Sequence, residues 1–251
     1  MIFLRILSNL LVLALELAAV GAVAWLAWRF PLPFALATAL LSLVLGVRLE
    51  YARLRNEFSF YFGRALGASS IAAAAVATGE AVVKALLAGV AALLTFSGTD
   101  QARLWYVALL FAAVLFAGTN LLRWLTLSLG ASPERWGYFR LAALLGLVFS
   151  AGFAALAQLG FIAVPDLAHV VSTALWETAA KPEVGQASEL LFQMKQYLDD
   201  AIVRFLSVWV GPDVARGLGI ALSVNMLSGF VAAIYAVVIS GVVRRIDERL
   251  P

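Results

Sequence analysis

Residues 65–96 read ALGASSIAAAAVATGEAVVKALLAGVAALLTF. Between Ala65 and Phe96 the only charges are Glu80 and Lys84, one helical turn apart and near the middle of the run. A hydrocarbon core about 30 Å thick takes about 20 apolar residues as a helix. This run would extend about 48 Å as an unbroken helix, so it spans with length to spare and must tilt, protrude or break, with Thr78-Gly79 as the expected breaking point. An ionised side chain near the bilayer centre costs roughly 2.5 to 3.5 kcal/mol. Glu80 and Lys84 therefore mark a polar site inside the membrane.

The rest of the chain is written in the same register. Of 251 residues, 63% are hydrophobic and 13% charged, about half the charged share of a soluble domain. An all-α polytopic integral membrane protein forming one transmembrane domain is expected, with spans at about 6–28, 34–47, 65–96, 104–122, 141–164 and 217–243. A cleaved signal peptide is the weaker account of the N-terminus, because apolar character continues through Trp28 and Glu16 interrupts the run. Pro31 and Pro33 end the first span. Residues 48–64 carry Arg48, Arg53, Arg55 and Arg64 among Tyr51, Phe58, Phe60, Tyr61 and Phe62. They are expected to form a cytoplasmic interfacial segment and to contact a cytoplasmic partner.

An even number of spans puts both termini on one side. Arg5, the 48–64 arginines, Arg123, Arg135, Arg140, Arg244, Arg245 and Arg249 share one face, against Arg29, Arg103, Lys181, Lys195, Arg204 and Arg216 on the other. The more basic face is expected to be cytoplasmic, in a bacterial inner membrane. Residues 166–213 then lie outside the cytoplasm as a helical segment. Leu190, Met194, Leu198, Ala201, Phe205 and Trp209 recur at three or four residues there, the pattern of an amphipathic helix. Paired with a shorter helix at 166–179, it makes a hairpin lying on the membrane or covering the apolar ends of the bundle. Asp199-Asp200 falls on its polar side, as a solvated face. Gly211-Pro212-Asp213 restarts a helix, with proline in its first turn.

Glu16 and Glu80 lie at similar depth, and Lys84 is about 6 Å further along its helix than Glu80. Two roles are open for them. Glu80 and Lys84 can neutralise each other at i,i+4 and serve packing, or Glu16, Glu80 and Lys84 can line a path for a charged solute or a proton. Asn9, Asn120, Gln158 and Asn225 are supporting polar residues with hydrogen bonding between helices as their ordinary role. Small residues recur at Ser69, Ala73, Ala77 and Ala81, at Gly146, Ser150 and Ala154, and at Ser228, Ala232, Ala236 and Ser240. Such stripes let helices or subunits pack closely.

The chain has no cysteine and one histidine, His169. Thiolate chemistry, a histidine-built zinc site, haem between histidines and a Ser-His-Asp triad are thereby disfavoured, so no metal, cofactor or catalytic residue is expected. No dense Lys/Arg run offers a nucleic-acid footprint. Two functions follow: a membrane-embedded component of a transport system, or a noncatalytic scaffold or assembly subunit of a larger complex, either with other subunits or as a homo-oligomer. The layout, with a cytoplasmic segment between spans two and three and outer helices before the last span, is similar to that of permease subunits of ABC exporters. That similarity is one of topology, and it implies a cytoplasmic ATPase partner.

Overall fold

The computed structural model describes residues 2–62, 71–96, 100–162 and 184–247. Among these, helices account for nearly everything: α1 (Ile2–Arg29), α2 (Pro31–Phe62), α3 (Ile71–Phe96), α4 (Gln101–Leu129), α5 (Pro133–Gln158), α6 (Val184–Val210), α7 (Pro212–Leu222) and α8 (Leu227–Asp247). Six helical segments are long and apolar enough to cross a membrane, namely Asn9–Arg29, Pro31–Glu57, Ile71–Phe96, Gln101–Leu129, Pro133–Gln158 and Val224–Ile246. The protein is an all-α polytopic membrane protein. Its leucines and valines point outward in number, Leu36, Leu40, Val44, Leu86 and Leu109 among them, because hydrocarbon gives apolar side chains no reason to hide.

What is buried instead is small, aromatic or polar. On α3, Ala73, Ala77, Ala81, Ala85, Ala88 and Ala92 form a buried stripe. Facing it, Gly46 of α2 comes so close that an added Cβ would lie 3.0 Å from the Ala81 Cβ and 2.6 Å from the Tyr138 hydroxyl. The last span is the most enclosed of the six and packs on α1, α3, α4 and α5. Tyr235 of α8 stacks on Phe34 at 5.1 Å, and Phe34 and Phe111 each meet Phe96 edge-on. The Gly146–Gly229 crossing is backbone against backbone: a Cβ on Gly229 would lie 2.0 Å from the Gly146 amide nitrogen. Gly146 of the α5 stripe and Ala232 and Ala236 of the α8 stripe are thus spent on packing within one chain.

Several boundaries differ from those expected. No break follows Val47, for α2 continues as one helix to Phe62. Nothing between Arg48 and Phe62 is a glycine or proline, and of the charges that suggested a surface, Arg53 finds a partner on α3. Nor does α3 break at Thr78-Gly79; the Thr78 hydroxyl donates to the Ala74 carbonyl at 2.8 Å and stays within the helix. The expected run 217–243 is two pieces, since α7 ends at Leu222, Ser223 is extended, and a 3₁₀ turn, Val224–Met226, precedes α8. Within α5, residues Gly137–Leu141 wind as a π-helix. The expected helix at 166–179, Arg64, His169 and the first three residues of a turn expected at 181–185 lie outside the described residues, while Val184 and Gly185 of that turn already belong to α6. Gly211, at φ +81°, makes the turn into α7, with Pro212 as its first residue.

Candidate functional site

Two polar centres emerge, and neither is the trio anticipated. Lys84 pairs with neither Glu80 nor Glu16; its ammonium donates to Glu50 Oε1 on α2. Glu80 instead takes Arg53, whose Nη2 lies 2.6 Å from Glu80 Oε2 and whose Nη1 lies 3.0 Å from Glu50 Oε2. Glu50, Arg53, Glu80 and Lys84 therefore form a tetrad across the α2–α3 seam, with Glu50 wholly buried at its centre and Glu57 joining Arg53 from its outer side at 3.5 Å. The i,i+4 pairing within α3 loses because Glu50 is out of reach of water and its charge must be met from both sides. The π-turn in α5 brings Tyr138 and Phe139 over the tetrad. Lys84 Nζ sits 5.2 Å and 5.3 Å from their ring centroids, and the Arg53 guanidinium 5.5 Å from Phe139. These are cation–π distances. Beside Arg53 a cavity of about 200 Å³ is lined by Asn56, Glu57, Arg135 and Phe139.

Of the expected partner-contact arginines, Arg53 is thus inside the seam, Arg48 pairs with Glu134 at 3.1 Å, and Arg55 is exposed. Glu16 stands apart from the tetrad. It is buried in α1, with Oε1 accepting from Asn120 Nδ2 at 3.0 Å. Its Oε2 has no hydrogen bond among the described residues and adjoins a cavity of about 40 Å³ with Thr119, Arg123, Ser240 and Arg244 in its wall. Asn9 is exposed on α1.

The second centre forms at the end of the bundle where α4 and α8 begin, and it is built by α6. That helix docks with its polar side inward. Arg103 of α4, buried, holds Glu189 at 2.7 Å and lies 3.7 Å over the Phe192 ring. One turn on, buried Lys195 donates to Asn225 Oδ1 at 2.8 Å. Asp199 caps the break before α8: Oδ1 accepts the Val224 amide at 3.0 Å, while Oδ2 accepts from the Ser223 hydroxyl at 2.7 Å and from Asn225 Nδ2 at 3.2 Å. A carboxylate at a helix start meets amides that have no partner within the helix. Asp199 is accordingly a structural cap and no part of a solvated face. Burial pushes the Lys195 ammonium down to about 8, with Arg103 adding to the effect and Asp199 opposing it. The apolar row Met194, Leu198, Phe205 and Trp209 faces outward, away from the bundle it was expected to cover.

Between α5, α6 and α7 this centre opens into a cavity of about 250 Å³. Gln158, Gln196, Asp199, Asp200, Arg216 and Ser223 supply its polar wall, and Phe153, Ala154, Ala157 and Ile220 its apolar one. Of the supporting residues named from sequence, Gln158 and Asn225 meet here, whereas Asn120 serves Glu16. Glu50, Lys195 and Gln196 escaped sequence reasoning. Thr38, Ser42, Gly46 and Glu50 do repeat every four residues, a polar and small stripe that runs through the boundary expected after Val47. No group of three or more His, Asp or Glu side chains that could hold a metal occurs among the described residues. No family model matches the chain, and neither a curated protein nor a solved structure matches it.

Proposed function

We propose that the chain is a membrane-embedded component of a transport system and that a small solute binds in the cavity between α5, α6 and α7. One observation carries this: a cavity of about 250 Å³ with a polar and a larger apolar wall opens beside the interruption between α7 and α8. An unwound stretch next to a spanning helix is tolerated where it lines a cavity, and interrupted helices commonly build solute sites in transporters. The tetrad of Glu50, Arg53, Glu80 and Lys84 then serves as the seam joining α2 to α3, and Glu16 with Asn120 as a separate polar contact. Both termini are placed on the cytoplasmic side of a bacterial inner membrane, as the excess of arginine on that face supports, so the cavity opens away from the cytoplasm. A cytoplasmic ATPase is the partner that the exporter-like topology would supply.

The test is purification in mild detergent with whatever subunits accompany the chain, followed by reconstitution and flux measurements. The panel should hold labelled amines, amino acids, carboxylates and sugars, carried by wild type and by Ala154→Trp, which fills the cavity. Loss of one solute class in the variant is expected. Equal flux in both, or none above protein-free vesicles, overturns the transport role. The outward apolar row of α6 favours a second role, as a noncatalytic scaffold whose row is covered by another subunit; Leu198→Glu would then release that subunit during purification.

A further inference from the structure

We infer that the cavity between α5, α6 and α7 binds a primary ammonium group carried on a short apolar stem. This rests on the cavity being the solute site proposed above, and it names the chemistry the site would select. Apart from Arg216 at the exposed rim and the Gln158 and Gln196 amides, the donors in and around its wall are already spent on the protein. The Ser150 hydroxyl donates to the Ile220 carbonyl at 2.8 Å, and the Ser223 hydroxyl to Asp199 at 2.7 Å. The Asn225 amide donates to Asp199 at 3.2 Å and to Ser223 at 2.9 Å. Lys195, just behind, is committed to Asn225.

Acceptors remain. Gln196, only 4% exposed, has an Oε1 with no hydrogen-bond partner among the described residues. Asp200 meets Arg204 through Oδ2 at 2.7 Å on the exposed side of α6, and a carboxylate has capacity for about four bonds. A buried acceptor left unmet costs about 1 to 3 kcal/mol, so a guest that brings donors is favoured and one that brings acceptors is not. An ammonium brings three donors and no acceptor. Phe153, Ala154 and Ala157 on the opposite side suit a stem of a few carbons. Arg216 stands at the exposed rim of the same wall, 3.7 Å from Asp213.

The same ammonium chemistry occurs in free amines and in the ethanolamine headgroup of a lipid, and the experiment separates them. The full chain is placed in nanodiscs of phosphatidylcholine and phosphatidylglycerol and titrated with ethanolamine, with propionate as the counterpart of similar size. In a second arm, discs contain phosphatidylethanolamine or only its trimethylated analogue, and retained lipid is counted by native mass spectrometry. Ethanolamine binding, weakened about 10-fold by Gln196→Leu and strengthened by Gln196→Glu, assigns a free amine. Retention of the ethanolamine lipid alone, lost in Gln196→Leu, assigns the headgroup. Propionate binding as well as ethanolamine, no response to either Gln196 substitution in a variant that melts like wild type, or no binding of either probe overturns the inference. The transport role fails separately: it falls if Ala154→Trp leaves flux intact, even where ethanolamine binds, and survives if Ala154→Trp stops the flux of a solute that has no amine.

Discussion

The α2–α3 seam and the α6 centre both bury charge in an apolar protein, and they do so to opposite ends. In the seam each carboxylate has a cationic partner and each cation an acid, with Tyr138 and Phe139 closing over them. A cavity of about 200 Å³ borders the seam too, but Glu50 Oε2 and Arg53 Nε, which make no hydrogen bond there, are each held in an ion pair, with Arg53 Nη1 and with Glu57. At α6, Lys195, Asp199, Ser223 and Asn225 are as tightly joined, yet their cluster borders a cavity and leaves Gln196 unmatched. The contrast separates a polar cluster that fastens helices from one that fastens a broken helix and also lines a larger cavity with Gln196 Oε1 unmet. Charge at membrane depth is in itself no sign of function; an unmet group facing space is the more telling feature.

The sharpest way to break this contrast is Lys84→Met. If the seam is a fastener, leaving Glu50 buried with Arg53 alone should cost about 3 to 5 kcal/mol, read as a lower melting temperature by tryptophan fluorescence. The double variant with Glu50→Gln should recover most of the loss, and neither should alter ethanolamine binding. Next comes Gly229→Ala, which forces α5 and α8 apart beneath the cavity. Overpacking of this kind costs about 1 to 3 kcal/mol, whereas Gly21→Ala, with open space around it, should be near neutral. Asp199→Asn removes the charge from the cap on Val224 and should cost about 1 to 2 kcal/mol, with faster amide exchange confined to residues around the break.

The smallest effect expected is a dependence on pH. Lys195 binds its proton with a folded-state value of about 8 against an ordinary 10.5. Below pH 8 folded and unfolded chains both carry the proton, so the burial penalty is present in full. Between 8 and 10.5 the folded chain sheds it first, and stability rises with pH. From pH 7.5 to 9.0 wild type should gain about 1 kcal/mol relative to Lys195→Met. A flat difference between the two melting curves would mean that Lys195 is better solvated than its place on α6 implies.

Much of the fold was legible because the bilayer imposes length and composition on every span. The spanning helix that carries Glu80 and Lys84, the alanine stripe through Ala73, Ala77 and Ala81, and the restart at Gly211-Pro212 could all be read along the chain. Their partners could not. Glu50 lies 34 residues from Lys84, and Lys195 lies 30 from Asn225, so each pairing depends on which helices are neighbours, which hydropathy leaves open. Ending the second span at Val47 followed from treating charges as surface marks, when Arg53 and Glu50 are met from across the seam. The orientation of α6 misled for a related reason. In water the row through Leu198 and Phe205 would turn inward; against a bundle whose end offers Arg103 and Asn225, the polar side has more to gain.

The π-turn at Gly137–Leu141 sets a phase as well as a position. Wound as α-helix, the same five residues would rotate everything after them by about 100°, the angular step of one residue. Tyr138 could still face Lys84, but Gly146 would swing away from Gly229 and the tight crossing would meet a side chain. That turn acts as an inserted residue that lets one helix answer to two differently phased neighbours, the α2–α3 seam before it and α8 after it. A single deletion there would leave α5 long and apolar enough to span, while dealing it a different set of contacts from Ala142 to Gln158.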